Sequence, residues 1–329
     1  MPDLQRDAAP LIELTDLVKH FPIRGGIFGR QVNAVKAVDG VSFSVRPGET
    51  LSLVGESGCG KSTVGRCVAR LLDLTSGELK LDGARIDSLP ESRLKPFRKR
   101  VNIVFQDPFS SLNPRMNVEA LVSEPLRSHG IVTGAANRKA RVAELLETVG
   151  LSPDIMDRMP HQFSGGQRQR ICIARALASE PDFIVCDEAV SALDVSVQAQ
   201  IINLLMRLQE ELGVAILFIS HDLAVVEHLS DRVAVMYLGR IMEIADRDTL
   251  FGAPAHPYTK ALLSAVPLPD PAAHRERVIL KGEVPSPINP PSGCPFRTRC
   301  PIAQDLCARQ RPEPVEFRPG QKVACHFPG

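Results

Sequence analysis

One eight-residue stretch constrains this chain more than any other: GESGCGKS, Gly55 to Ser62, set directly after the apolar run LSLV and before the helical stretch STVGRCVARLL. It fits the spacing G-x-x-x-x-G-K-[ST] in the strand, loop and helix setting that such a loop requires. Gly55, Gly58 and Gly60 free the backbone to curl its N–H groups, with those of Glu56, Ser57 and Cys59, around phosphate oxygens; the helix start at Ser62, followed by Thr63, adds partial positive charge. Lys61 would reach the β- and γ-phosphates of a nucleotide, and Ser62 would offer a hydroxyl to Mg²⁺.

Such a loop needs a parallel sheet behind it. DFIVCDE and VAILFISHD are continuous apolar runs, as expected of strands buried on both faces, whereas LIELTDLV and VSFSV alternate like half-buried strands. RVAELLETVGL spaces Val142, Leu145, Leu146 and Val149 along one helical face, and SVQAQIINLLMRLQEELG repeats the pattern with Val197, Ile201, Leu204, Leu205 and Leu208. Gly150 and Gly213 stand where helix C-caps belong. The order predicts an α/β nucleotide-binding core. The 39 Lys and Arg balance 38 Asp and Glu, so no global field draws in nucleic acid. The first residues lack a basic segment followed by a long apolar one, so neither secretion nor membrane spanning is expected.

FIVCDE puts Asp187 and Glu188 at the carboxyl end of a buried strand, where open α/β sheets present ligands. Asp187 would hold Mg²⁺, and Glu188 would polarise the attacking water. Ser164, Gly165, Gly166 and Gln167 precede the helix RQRICIARALA and form a second candidate phosphate cradle. One chain cannot wrap both cradles around one nucleotide.

Beyond these motifs, Gln106 in VFQDP, FSGGQRQR from Phe163 to Arg170, SALD from Ser191 to Asp194, and His221 in FISHD together resemble the Q-loop, signature, D-loop and switch histidine of ABC transporter ATPases, over residues 11–265. The resemblance implies a P-loop NTPase fold with a RecA-like core, an antiparallel β subdomain and a helical subdomain at about 107–180. It implies a cassette over 1–266 and a proline- and cysteine-rich extension over 267–329. It further implies ATP sandwiched between the P-loop of one cassette and the signature of another. Glu188, Gln106 and His221 would then act in hydrolysis, Ser62, Gln106 and Asp187 around Mg²⁺, Asp194 in the D-loop, and Phe21 in LVKHFP as an adenine platform. One departure stands out: the family's proline after the catalytic glutamate is Ala189 here. Alanine keeps the proline-like backbone accessible, so hydrolysis is expected to survive.

VKHFPIRGGIFGR, VFQDPFSSLNPRM and AHPYTKALLSAVP look like the dipeptide and oligopeptide importers, specifically the second of their two unlike ATPase subunits. That implies two integral-membrane permease subunits, a sister ATPase and, indirectly, an extracytoplasmic peptide-binding protein as partners. The chain would sit peripherally on the cytoplasmic face of the bacterial inner membrane, with segment 107–130 gripping a permease helix. The competing readings are a soluble ABC ATPase of nucleic-acid metabolism, against which the single cassette and balanced charge speak, and a partly degenerate regulatory subunit, resting on Ala189.

From residue 267 onward the composition shifts, with 13 of the 27 prolines and no clear periodicity. Such a segment needs a staple. Cys294, Cys300, Cys307 and Cys325 lie there, spaced C-x5-C-x6-C-x17-C, whereas Cys59, Cys67, Cys172 and Cys186 read as core. A reducing compartment disfavours disulfides, which leaves metal ligation; four thiolates suit a [4Fe–4S] cluster or zinc. The importer resemblance implies the iron–sulfur cluster.

Overall fold

Strands that bury both faces form the spine of the molecule, in a computed structural model that describes residues 9–25, 30–266 and 278–329. The tip of the basic loop at 26–29 and the stretch 267–277, which begins at the expected domain boundary, lie outside the described residues. In chain order the strands are β1 (Ile12–Gly25), β2 (Arg30–Val45), β3 (Thr50–Val54), β4 (Ser76–Leu81), β5 (Ala84–Arg85), β6 (Val101–Val104), β7 (Phe183–Asp187), β8 (Ala215–Ser220), β9 (Arg232–Tyr237), β10 (Arg240–Asp246), β11 (Val315–Arg318) and β12 (Gln321–Val323).

Two sheets result. The larger runs β11-β12-β10-β9-β3-β8-β7-β6, and the smaller runs β2-β1-β4-β5. Within the larger sheet β3 pairs in parallel with β8 and β9, and β7 pairs in parallel with β6 and β8. Leu51, Leu53, Val185, Leu217 and Phe218 have no exposed surface. Burying each such side chain contributes roughly 1.5–3 kcal/mol relative to leaving it in water. The smaller sheet is antiparallel throughout, with the alternating runs in its long β1–β2 pair. The helices expected from 3.6-residue spacing occur as Ala135–Thr148 and Val195–Leu212, and bury Val142, Leu145, Leu146, Ile201, Leu204, Leu205 and Leu208. Cys59, Cys67, Cys172 and Cys186 are buried.

The tail departs from expectation. Its strand β12 pairs with β10 and carries β11 with it, so the last residues extend the central sheet. Glu243 of β10, wholly buried, accepts hydrogen bonds from Gln321 Nε2 at 2.7 Å and from the N–H groups of Ala255 and His256 at 2.9 Å. A buried carboxylate satisfied on both sides of a seam holds that seam together. The staple is therefore the core itself. Cys294 and Cys307 are buried while Cys300 and Cys325 are partly exposed, and burial pushes the Cys294 thiol up to about 11. No group of three or more His, Cys, Asp or Glu side chains that could hold a metal ion occurs among the described residues. The iron–sulfur or zinc ligation expected of Cys294, Cys300, Cys307 and Cys325 is thus not supported, whereas the sheet pairing of β12 with β10 anchors the tail. Among the described residues no helix is long and apolar enough to cross a membrane.

Candidate functional site

The GESGCGKS loop leaves β3 and enters the helix Lys61–Val68 through Gly60, whose φ is 108°. Only glycine fits there, because a Cβ on Gly60 would lie 2.0 Å from the Ala37 carbonyl oxygen. The loop is thereby pressed against β2. Lys61, 4% exposed, turns its Nζ to the carbonyls of Gly55 and Glu56 at 2.8 and 3.0 Å. A cavity of about 290 Å³ opens over this loop, lined by Ser57, Gly58, Gly60, Lys61, Ser62 and Thr63, by Gln106 and Glu188 opposite, and by Val35, Ala37 and Pro287 at its side.

Glu188 follows the end of β7 and is held from two directions. Gln106 Nε2 donates to its Oε2 at 2.8 Å, and His221 Nδ1 lies 3.7 Å from its Oε1. Its backbone is left-handed, with φ of 49°, a conformation that costs a non-glycine residue roughly 1–2 kcal/mol. Strain of this kind persists only where surrounding structure fixes it. Ala189 beside it is 1% exposed and packed in the core.

Asp187 sits behind Ser62. Burial raises its carboxyl above the ordinary range, while a hydrogen bond from Ser62 and the charge of Arg66, 3.9 Å away, oppose that rise. Its Oδ1 is buried without a hydrogen-bond partner. A hydroxyl beside an unpartnered buried carboxylate oxygen is an oxygen donor set that suits Mg²⁺.

The remaining candidates lie elsewhere. Phe21 pairs across the sheet with Val35, which lines the cavity, but Phe21 is not among the lining residues and carries Lys19 Nζ 5.1 Å from its ring centroid. Ser164 caps the helix Gly165–Leu177 in a reciprocal box with Gln167, and both are exposed. Asp194 precedes the helix Val195–Leu212 and is exposed, as is Val195 at 82%. Neither Asp194 nor the Ser164–Gln167 turn lines the cavity. Sequence reading missed Val35, Ala37, Pro287, Tyr258 and Arg299 near the P-loop. Tyr258 lies inside AHPYTKALL and Arg299 between Cys294 and Cys300, segments that drew notice for other reasons, and nothing in either residue's spacing pointed to the P-loop.

The pattern of the ABC transporter family matches residues 38–191, and that of the oligopeptide/dipeptide transporter C-terminal region matches residues 242–307. The oligopeptide transport ATP-binding protein AppF of Bacillus subtilis is 55% identical over 320 residues, covering 96% of this chain and 97% of that protein. The chain belongs to the ATP-binding proteins of the ABC transporter family. The probable peptide ABC transporter ATP-binding protein y4tS of Sinorhizobium fredii is 54% identical over 316 residues, covering 96% of this chain and 89% of its own length. Among solved structures, the dimeric post-hydrolysis state of the ATP-binding cassette MJ0796 bound to ADP and Pi aligns with a TM-score of 0.65 and 28% identity, over 72% of this chain and 98% of that one. The P-loop fold of an ABC ATPase follows from both likenesses.

Proposed function

We propose that this chain is the ATP-hydrolysing subunit of an importer for di- or oligopeptides, working at the cytoplasmic face of a bacterial membrane with two permease subunits, a sister ATPase and, indirectly, a peptide-binding protein. The observation that carries the reading is the convergence of Lys61, Ser62, Gln106 and Glu188 on one cavity, with Asp187 directly behind Ser62. Lys61 would neutralise the β- and γ-phosphates of ATP, and Ser62, Asp187 and Gln106 would hold Mg²⁺, which when bound offsets the charge developing on the transferred phosphoryl group. Glu188 would orient water, its carboxylate positioned by Gln106 and His221.

The exposed turn Ser164–Gln167 is proposed to close over the nucleotide of a second cassette, with Asp194 beside it. Support comes from the helix start that the turn opens and from the dimeric form of the MJ0796 cassette. Phe21, on the strand facing Val35, is the proposed adenine platform once that sandwich forms. Peptide transport is supported by the names that relatives such as AppF and y4tS carry and by the C-terminal match. The test is ATP-driven uptake of labelled peptides by vesicles holding the permeases with and without this chain. Uptake that requires the chain and fails with Glu188→Gln is expected; peptide uptake indifferent to both would refute the proposal.

A further inference from the structure

The tail does more than close the sheet: it reaches the phosphate loop. Arg299, beside Cys300, places Nη1 and Nη2 on the two carboxylate oxygens of Glu56 at 2.6 and 3.0 Å. This is a planar, two-point pairing, the geometry in which arginine fixes a carboxylate most firmly. The Arg299 side chain is 8% exposed and that of Glu56 26%, so solvent screens the pair only weakly. Behind the guanidinium stands a knot of three wholly buried rings, Tyr237, Tyr258 and Phe296, with centroids 4.8 to 5.3 Å apart. Phe296 comes from the tail, three residues before Arg299.

The same knot holds the loop a second time. Tyr258 Oη accepts the Glu56 N–H at 3.0 Å, while the Glu56 carbonyl accepts Lys61 Nζ at 3.0 Å. Every polar group of Glu56 is therefore engaged, its side chain by the tail, its N–H by the helix Pro257–Ser264, and its carbonyl by the phosphate-loop lysine. A second tail residue, Pro287, lines the nucleotide cavity, and its carbonyl accepts the Lys36 N–H at 3.1 Å. Loop geometry preset in this manner lowers the ordering cost of binding a phosphate chain.

We propose that Arg299 is a positioning residue for the phosphate loop, and that through its clamp on Glu56 the C-terminal tail sets the affinity of this chain for nucleotide. The inference rests on the reading of GESGCGKS as the ATP site. It adds that a distant downstream segment is coupled to that site, since the two clamp partners are 243 positions apart.

The test is a double-mutant cycle on the full chain, with Arg299→Ala, Glu56→Ala and the pair, read by the Kd for a fluorescent MgATP analogue and by thermal melting. Each single change should raise Kd on the order of tenfold, and the pair should raise it no further than either alone, because both remove one coupling. Arg299→Lys, which keeps the charge and loses the fork, should recover part of the affinity. KM for ATP should move more than kcat. Should Arg299→Ala fail to fold, Arg299→Lys and Glu56→Gln carry the test, each expected to bind several-fold more weakly. Folded Arg299 and Glu56 variants with wild-type Kd would overturn the proposal and leave the clamp a mere staple. Lys61→Ala runs alongside: if it too binds like wild type, the ATP-site reading fails rather than the clamp.

Discussion

Two helix starts in this chain fit the sequence of a phosphate cradle, and they are built in opposite ways. The P-loop start is pressed against Ala37, has its lysine buried, and is pinned at Glu56 by Arg299 and Tyr258. The signature start is exposed and satisfied only by its own reciprocal cap between Ser164 and Gln167. Gly166 there packs so closely that a Cβ would lie 2.4 Å from Val197 Cγ1, at the head of the helix after Asp194. The first cradle is organised by the chain's own core and tail. The second lies exposed at a helix start, as suits its proposed role of closing over the nucleotide of a second cassette.

The contrast can be broken by attacking each cradle in turn. Lys61→Ala should have the largest effect, weakening MgATP binding on the order of 100-fold, as expected for loss of charge-assisted hydrogen bonds to phosphate, with hydrolysis lost as well. Titration with a fluorescent nucleotide would measure it. Gly166→Val should instead leave nucleotide binding by the single chain within about twofold of wild type while cutting steady-state hydrolysis on the order of 100-fold, because a side chain clashing with Val197 would displace the N–H groups of the proposed second cradle. If Gly166→Val abolished single-chain binding, the two cradles would not be independent.

Acid should sharpen the comparison from the other side. His256 lies in the seam between the tail and the P-loop knot, where its Nδ1 accepts the Tyr258 N–H at 3.0 Å, and burial lowers its pKa to about 3. A histidine whose pKa is lower folded than unfolded binds its proton more readily when unfolded. Its contribution is therefore intact above about pH 6.5 and is lost as pH falls towards 3. By pH 5 the loss is about 2 kcal/mol. Hydrogen exchange should show Pro257–Ser264 and the tail opening before the signature helix, and His256→Gln should flatten the dependence; equal protection throughout would contradict the seam.

What the sequence disclosed and what it withheld have a common physical origin. The P-loop, the acids at the end of β7 and the two amphipathic helices are local patterns, set by glycine geometry, strand burial or 3.6-residue spacing within a short stretch of chain. Contacts such as Arg299 with Glu56 and Gln321 with Glu243 join polar residues that are 243 and 78 positions apart, and no periodicity marks them. The tail strands are only four and three residues long, too short for alternation to register. Four cysteines supplied the most visible pattern in that tail and pointed to a metal, which no cluster among the described residues supports, while the sheet edge that docks it left no pattern. Phe21 was chosen by its place in LVKHFP, yet Val35, across the strand pair, is the residue that faces the cavity.

The central claim is that ATP binds the first cradle and is cleaved by Glu188 beside it. Its most direct test is MgATP binding and steady-state hydrolysis measured side by side for the wild-type chain and Glu188→Gln, alone and with the permease complex. The account predicts binding within about twofold of wild type, since Lys61 and the loop backbone hold the phosphates, and hydrolysis reduced on the order of 100-fold or more. Undiminished hydrolysis in Glu188→Gln would contradict it.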